Sequence, residues 1–354
     1  MRNKLKVILI VLIDMILTGA ALVIFAWFHH GKPQRFEPVA LATTPPVVTA
    51  SPSPSPSPTP VPTELPQGVT PGPTPEPTFT PEPTPEPTGL LGAKYWEKFT
   101  DGEIISDENC YRSRNVCVEV SHRSMVSSEG LPVVYHVADV YIRDITSLGS
   151  YVPDPEAGNE YVDQMAVKTG SIVGITGDYF LYHKIGLIIR SGMLYREKYY
   201  TSQDWCVIYR DGVMETHPNG MIDLKALYAR GPWHTFSFGP RLLDNGQPMT
   251  EFNTSVEERN PRTAIGYYEP GHYCFVVVDG RQNNYSYGLE MWELSKLMYD
   301  LGCAEAFNLD GGSTSIMTYG PGLYSRPPYG GHGRHNTDYI YILEPSGDGY
   351  YYGG

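Results

Sequence analysis

Apolar and polar positions along the chain fall into three regimes. Val7–Phe28 is an almost unbroken apolar run, interrupted by a charge only at Asp14. Between Pro33 and Pro87 there is no period, because nineteen prolines crowd the stretch. From about residue 89 onward, short segments alternate between the two-residue period of strands and the 3.6-residue period of helices. Val116–His122 and Val133–Ile145 are rich in β-branched and aromatic residues and predict strands. Trp205–Tyr209 and Val213–Thr216 flank Arg210-Asp211-Gly212, a hairpin turn, and Thr263–Tyr268 with Tyr273–Asp279 repeat the arrangement around Glu269-Pro270-Gly271.

Helices are fewer. Glu160–Thr169 places Tyr161, Met165 and Ala166 at helical spacing and stops at Gly170, with Ser171–Ile175 following as a buried strand. Leu289–Leu301 sets Leu289, Trp292, Leu297 and Leu301 along one face and ends at Gly302. Cys303–Leu309 is a short apolar strand running into Asp310-Gly311-Gly312, and Asp338–Leu343 is the last strand. Strands that precede helices, with a late strand–helix–strand unit, predict an α+β domain on a large mixed β-sheet with a few packed helices.

The first two regimes set the domain organisation. Residues 1–6 supply Arg2, Lys4 and Lys6 as a basic flank, and residues 7–28 form the apolar run. As a helix, 22 residues rise about 33 Å, enough for a hydrocarbon core of about 30 Å. The run ends in Trp27-Phe28 rather than a small-x-small cleavage site, which favours an uncleaved signal anchor with a cytoplasmic N-terminus. Residues 29–88 read as a solvated, polyproline-II-like stalk outside the cell membrane, and residues 89–354 as the functional domain.

Charge removes one class of function. The part after residue 88 holds 21 basic and 33 acidic residues with no Lys/Arg block, a poor match to a nucleic-acid binder. Five cysteines in an exported domain leave at least one unpaired. Cys110 and Cys117 are the disulfide candidate, and Cys206, Cys274 and Cys303 read as small core residues. No Cys/His spacing suggests zinc. No cofactor is expected; a Ca²⁺ on Asp carboxylates is left open, without an EF-hand pattern.

Chemistry collects where strands end in Gly beside a charged residue, since Gly lets a ligand approach the backbone. Four places qualify: Gly174–Phe180, Asn260–Gly266, Val276–Gln282 and Asn308–Ser315. Each Asp-Gly alone is a common turn, but two of the four place Arg262 and Arg281 beside carboxylates. Arg forks suit an anionic group, and the glycines and hydroxyls of 311–315 suit phosphate or sugar oxygens.

In these segments the chain resembles the phosphodiester glycosidase family, from about Val162 to Ile342. Gly177-Asp178-Tyr179-Phe180 is similar to the family's Asn-Gly-x-Tyr/Phe-Phe element, and Ser237-Phe238-Gly239-Pro240-Arg241-Leu242 to its Ser-Gly-x-x-Leu element. Arg262-Thr263-Ala264-Ile265-Gly266, Val278-Asp279-Gly280-Arg281 and Tyr285-Ser286-Tyr287-Gly288 follow in order, then Glu293-Leu294, Leu301-Gly302 and Asn308-Leu309-Asp310-Gly311-Gly312. Thr176 stands where the family has Asn, and Ser313-Thr314-Ser315-Ile316 where it has a third Gly with a Ser/Thr sequel.

The resemblance implies hydrolysis at the anomeric carbon of a sugar-1-phosphodiester; with the membrane anchor, the favoured substrate is an envelope or secreted polysaccharide. A phosphomonoester leaves readily, its second pKa being about 6, so stabilising the departing anion matters more than protonating it. On that reading Asp310 is the first-choice carboxylate and Asp279 the second, while Arg262 and Arg281 hold the phosphate. Asp178 and Glu293 are reserves, and Glu293 reads equally well as a helix-capping residue. Tyr179 offers a stacking surface, with Phe180 as wall or core, and Ser286 and Asn308 reach sugar hydroxyls. Gly311, Gly312, Ser313 and Thr314 form the oxygen cradle. Arg334 is preferred over His332 and His335, whose His-x-x-His spacing also fits a Gly-rich surface loop. The rival reading is a glycan-binding or scaffolding module without turnover. Oligomeric state is not legible.

Overall fold

The computed structural model describes residues 36–41, 91–154 and 160–345. The basic N-terminus, the apolar run 7–28 and nearly all of the Pro-rich stretch lie outside the described residues. No helix among the described residues is long and apolar enough to cross a membrane.

The domain is rich in sheet and poor in helix, as the alternating pattern predicts. Its strands divide over three main sheets of seven, six and five strands, and all pairings among the described residues are antiparallel. In the seven-stranded sheet, Arg262–Glu269 lies between His272–Val278 and Glu305–Asn308, and Pro132–Ile142 and Val116–Val126 extend it. His272–Val278 and Glu305–Asn308 are joined through the helix Met291–Asp300, which crosses over their shared neighbour.

The five-stranded sheet sets Val173–Thr176 beside Tyr339–Ile342. The six-stranded sheet contains Ile188–Arg190, Trp205–Tyr209 and Pro232–Phe236. One apolar core joins all three sheets, with Val118, Phe275, Ile208, Phe236, Ile175 and Ile340 among its buried members. Because the sheets share that core, the loops at their strand ends converge, and those loops carry the charged residues.

Two expectations need correction. Residues 36–41 are not free linker: Val39–Ala40 pairs with Leu194 and Met193 as an edge strand, and Leu41 N–H donates to Gly192 O at 3.1 Å. Phe36 supplies the reason, burying part of its ring against Phe180 and Tyr195. Cys110 and Cys117 form no disulfide. Cys110 lies opposite Glu119 and Cys117 opposite Arg112, so the thiols are diagonal in register. Diagonal partners sit about 7–8 Å apart, whereas a disulfide needs Cβ atoms about 3.5–4.5 Å apart. Cys206, Cys274 and Cys303 are buried, with the sulfurs of the last two 3.6 Å apart.

Candidate active site

The antiparallel register of Tyr339–Ile342 with Val173–Thr176 brings the start of one strand to the end of the other. Asp338 therefore meets Gly177-Asp178-Tyr179. Its carboxylate accepts from Asp178 N–H at 3.0 Å and from Tyr179 N–H at 3.1 Å. Gly177 is required here, since a Cβ would stand 2.0 Å from Asp338 Oδ2. Tyr179 is held at φ 62°, a left-handed conformation that strains a non-glycine residue. Asp338 binding two successive N–H groups is what holds it there.

Arg190 ends its strand inside this cluster. Its guanidinium bonds Asp178 at 2.5 Å and Asp338 at 3.3 Å, and lies over the rings of Phe180 and Phe236. Asp178 also accepts from Ser237 N–H at 2.9 Å. Burial alone would push Asp178 up, but Arg190, His183 and the Ser237 N–H hold its carboxyl below the ordinary range. Asp338 goes the other way, pushed to about 6 by burial and by the neighbouring charge of Asp178.

Asp310 sits at the edge of this cluster and is half-buried, whereas Asp178 and Asp338 are fully enclosed. Its backbone N–H donates to Gly177 O at 2.9 Å, which ties the two loops together. The carboxylate accepts from Gly311 N–H and from the Thr314 hydroxyl, each at 2.9 Å. Burial pushes its pKa to about 7; Asp338 adds to the rise, while Thr314, Gly311 N–H and Arg334 oppose it. A carboxyl that is half ionised near neutral pH is suited to proton transfer or to stabilising a developing cation. Arg334 is exposed, and among the described residues its guanidinium makes no hydrogen bond or ion pair. With Ser313, His335, Tyr161 and Tyr329 it lines a cleft of about 390 Å³.

Asp279 belongs to a second constellation and is 1% exposed. It is bonded by His136 Nε2 and the Tyr285 hydroxyl, each at 2.9 Å, and by Arg326 N–H at 3.1 Å. His136 continues to His122, with 2.7 Å between the Nδ1 atoms, and Tyr324 stacks on His122. With these donors in place, Asp279 is an organising carboxylate rather than an accessible one.

Other predicted site residues divide in the same way. Arg262 is spent on backbone: its donors reach Leu289 O, Val256 O, Glu257 O and Glu258 O, and burial lowers it to about 10. It fixes the 256–258 loop and is not placed to hold a phosphate. Arg281 is exposed, its guanidinium bonds Asn260 Oδ1 alone among the described residues, and it lies 3.2 Å from where a Gly312 Cβ would be. It therefore stands beside the 310–314 turn with donors to spare.

Ser286 is fully buried and bridges Asp279 O and Val134 N–H, so it does not reach a sugar. Glu293, the third residue of Met291–Asp300, completes its capping box by accepting from the N-cap Glu290 N–H, and also accepts from Ser128 N–H and hydroxyl and from Arg259. Burial would push Glu293 up, but these donors hold it low. The Asn308 amide donates to Gly239 O, leaving its oxygen buried without a hydrogen-bond partner among the described residues. Phe180 is core. His332 is tied to Asp163, and His335 packs on Tyr161 at 4.0 Å.

Arg190, Asp338 and His136 were missed by pattern alone. Arg190 had a signal, a charge closing the apolar stretch Leu187-Ile188-Ile189. No group of three or more His, Cys, Asp or Glu side chains able to hold a metal ion occurs among the described residues.

Comparisons with known proteins bear on family and fold. Residues 164–343, about half of the chain, match the family described as phosphodiester glycosidase. The SPbeta prophage-derived uncharacterized protein YomE of Bacillus subtilis (strain 168) is 32% identical over 197 residues. That alignment covers 53% of this chain and 30% of the relative, so the chain spans less than a third of that protein. Among solved structures, the catalytic domain of zebrafish N-acetylglucosamine-1-phosphodiester alpha-N-acetylglucosaminidase, auto-inhibited by its pro-peptide, is similar with a TM-score of 0.54. Identity is 20%, covering 69% of this chain and 88% of that one, which shows a shared fold.

Proposed function

The chain belongs to the phosphodiester glycosidase family, and we propose that it hydrolyses the anomeric bond of a sugar-1-phosphodiester, releasing free sugar and a phosphomonoester. The observation that carries this reading is Asp310, a half-buried residue whose carboxyl is pushed to about 7 by burial, near the Arg334 guanidinium, which makes no hydrogen bond or ion pair among the described residues.

In the proposed reaction, Arg334 and Arg281 hold the phosphodiester, and their charge offsets the anion that departs. The glycosidic bond breaks with its electron pair going to the phosphate oxygen. A phosphomonoester leaves without a strong acid, so the ionised form of Asp310 is the useful one. It stabilises the oxocarbenium-like carbon or takes a proton from the attacking water. The Gly311 and Thr314 donors fix the carboxylate, and the Asp178–Arg190–Asp338 cluster fixes the loop on which it rests. Tyr179 contributes an aromatic surface to the same loop, stacked on Tyr182 at 5.0 Å.

The basic flank and the apolar run support an exported domain anchored in the cell membrane, with envelope or secreted glycans as its substrates. The test is release of free sugar by the full chain from a panel of α-sugar-1-phosphodiesters, beside Asp310→Asn. Turnover that disappears in the variant supports the reading. Saturable binding without turnover in both proteins would instead identify a glycan-binding module.

A further inference from the structure

The docking of Phe36–Leu41 changes what the Pro-rich stretch connects. That stretch leaves the domain at Leu41, whose N–H bonds Gly192 O, and rejoins it at Leu91, whose N–H bonds Arg143 O. It therefore does not separate the apolar run from the domain. Only residues 29–35 lie between Phe28 and Phe36, and seven residues span at most about 25 Å. If Val7–Phe28 is a membrane anchor, the reading on which this inference rests, the face where Phe36 enters stays close to the bilayer.

That face has a distinctive composition. The Phe36 ring lies 5.8 Å from the Arg196 guanidinium, which bonds His183 O at 2.7 Å and Gly186 O at 3.1 Å and so secures the adjoining loop. Beside it, Lys184, Lys198, Tyr199 and Tyr200 line a cleft of about 300 Å³. Both lysines are exposed, as are Tyr199 (65%), Tyr200 (51%) and Met221 (72%), the strand partner of Tyr200. Exposed Tyr and Lys beside an apolar side chain suit the level of lipid headgroups, where rings and ammonium groups are both accommodated. Glu37 and Glu197 are also exposed here, so the aromatic and apolar side chains must contribute alongside the lysines.

We propose that the face carrying Lys184, Lys198, Tyr199, Tyr200 and Met221 is a membrane-contact surface that rests on anionic lipid headgroups. The two lysines meet the phosphates, while Tyr199, Tyr200 and Met221 enter the interfacial layer. The Pro-rich stretch then serves as a loop with both ends on the domain.

Hydrogen exchange on the full chain tests this. The chain is placed in detergent, in phosphatidylcholine vesicles, and in vesicles with added phosphatidylglycerol. Amides of 184–186, 197–201 and 220–222 are expected to exchange about tenfold more slowly in the anionic vesicles than in detergent. The protection should be lost in a Lys184→Glu/Lys198→Glu variant, whose changes are confined to exposed side chains. Equal exchange in detergent and both vesicles would overturn the contact, and equal protection in neutral vesicles would overturn the role of lipid charge. Alkaline carbonate extraction separates the two premises. A chain released from the vesicles contradicts the anchor, whereas a retained chain with unprotected 197–201 contradicts only the contact face.

Discussion

Asp279-Gly280 and Asp310-Gly311 look alike in the sequence, since each closes an apolar strand with the same two residues. The structure gives them opposite surroundings. Asp279 is enclosed and satisfied by His136, Tyr285 and the Arg326 N–H. Asp310 is half-buried, with Gly311 N–H and Thr314 donating to it among the described residues, and burial and Asp338 raise its pKa. The motif places a carboxylate at a strand end; the number of donors and the access of water decide whether it organises or reacts.

The largest effect that would break this contrast is on turnover. Asp310→Asn should lower kcat by about a thousandfold or more, measured as free sugar released. A loss of that size in Asp279→Asn instead, with Asp310→Asn near wild type, would reverse the two roles. Arg334→Ala comes next, lowering kcat/KM by about 10–100-fold because it removes a charge-assisted contact to the phosphate. Arg262→Lys should act chiefly on stability, read from denaturant unfolding, since among the described residues Arg262 bonds only backbone carbonyls.

The stability arm has the opposite ranking. Asp279→Ala leaves His136, Tyr285 and the Arg326 N–H without their acceptor and should cost about 2–4 kcal/mol, read from denaturant unfolding. Asp310→Asn should raise Tm by about 2–5 °C at pH 8. Because Asp310 is raised in the folded state, it stays neutral while the unfolded chain ionises. Its cost to stability therefore grows between pH 4 and 7, and the gain in the Asn variant should grow over the same window. Glu293→Gln weakens a helix cap and should cost about 1 kcal/mol without changing turnover.

Much of the fold was legible because its elements are short and strongly patterned. The Trp205–Tyr209 and Met214–His217 hairpin, the Arg262–Glu269 and His272–Val278 pair, and the Met291–Asp300 helix lie where period and turn chemistry put them. The division into three sheets was not legible, because pairing between distant strands leaves no local mark. For the same reason Asp338 escaped notice: it reaches Asp178 and Tyr179 only through the register of two strands far apart in the chain. Phe36–Leu41 was hidden by its place in a Pro-rich stretch and by its distance from Met193–Arg196 in sequence, yet two paired residues and two aromatic contacts dock it. Within the site, the family motifs drew attention to Asp310, Tyr179 and Arg334, the residues on which the proposed reaction rests. Donor satisfaction, which a sequence does not show, removed Arg262, Ser286 and Glu293 from the list of substrate contacts.

The central claim is that the reacting carboxylate is the one held near neutrality. Its most direct test is the pH dependence of kcat/KM for sugar release by the wild-type chain. The account predicts a rate that falls about tenfold per pH unit below a midpoint near 7 and is level above it. A rate that stays constant from pH 5 to pH 8 would contradict it.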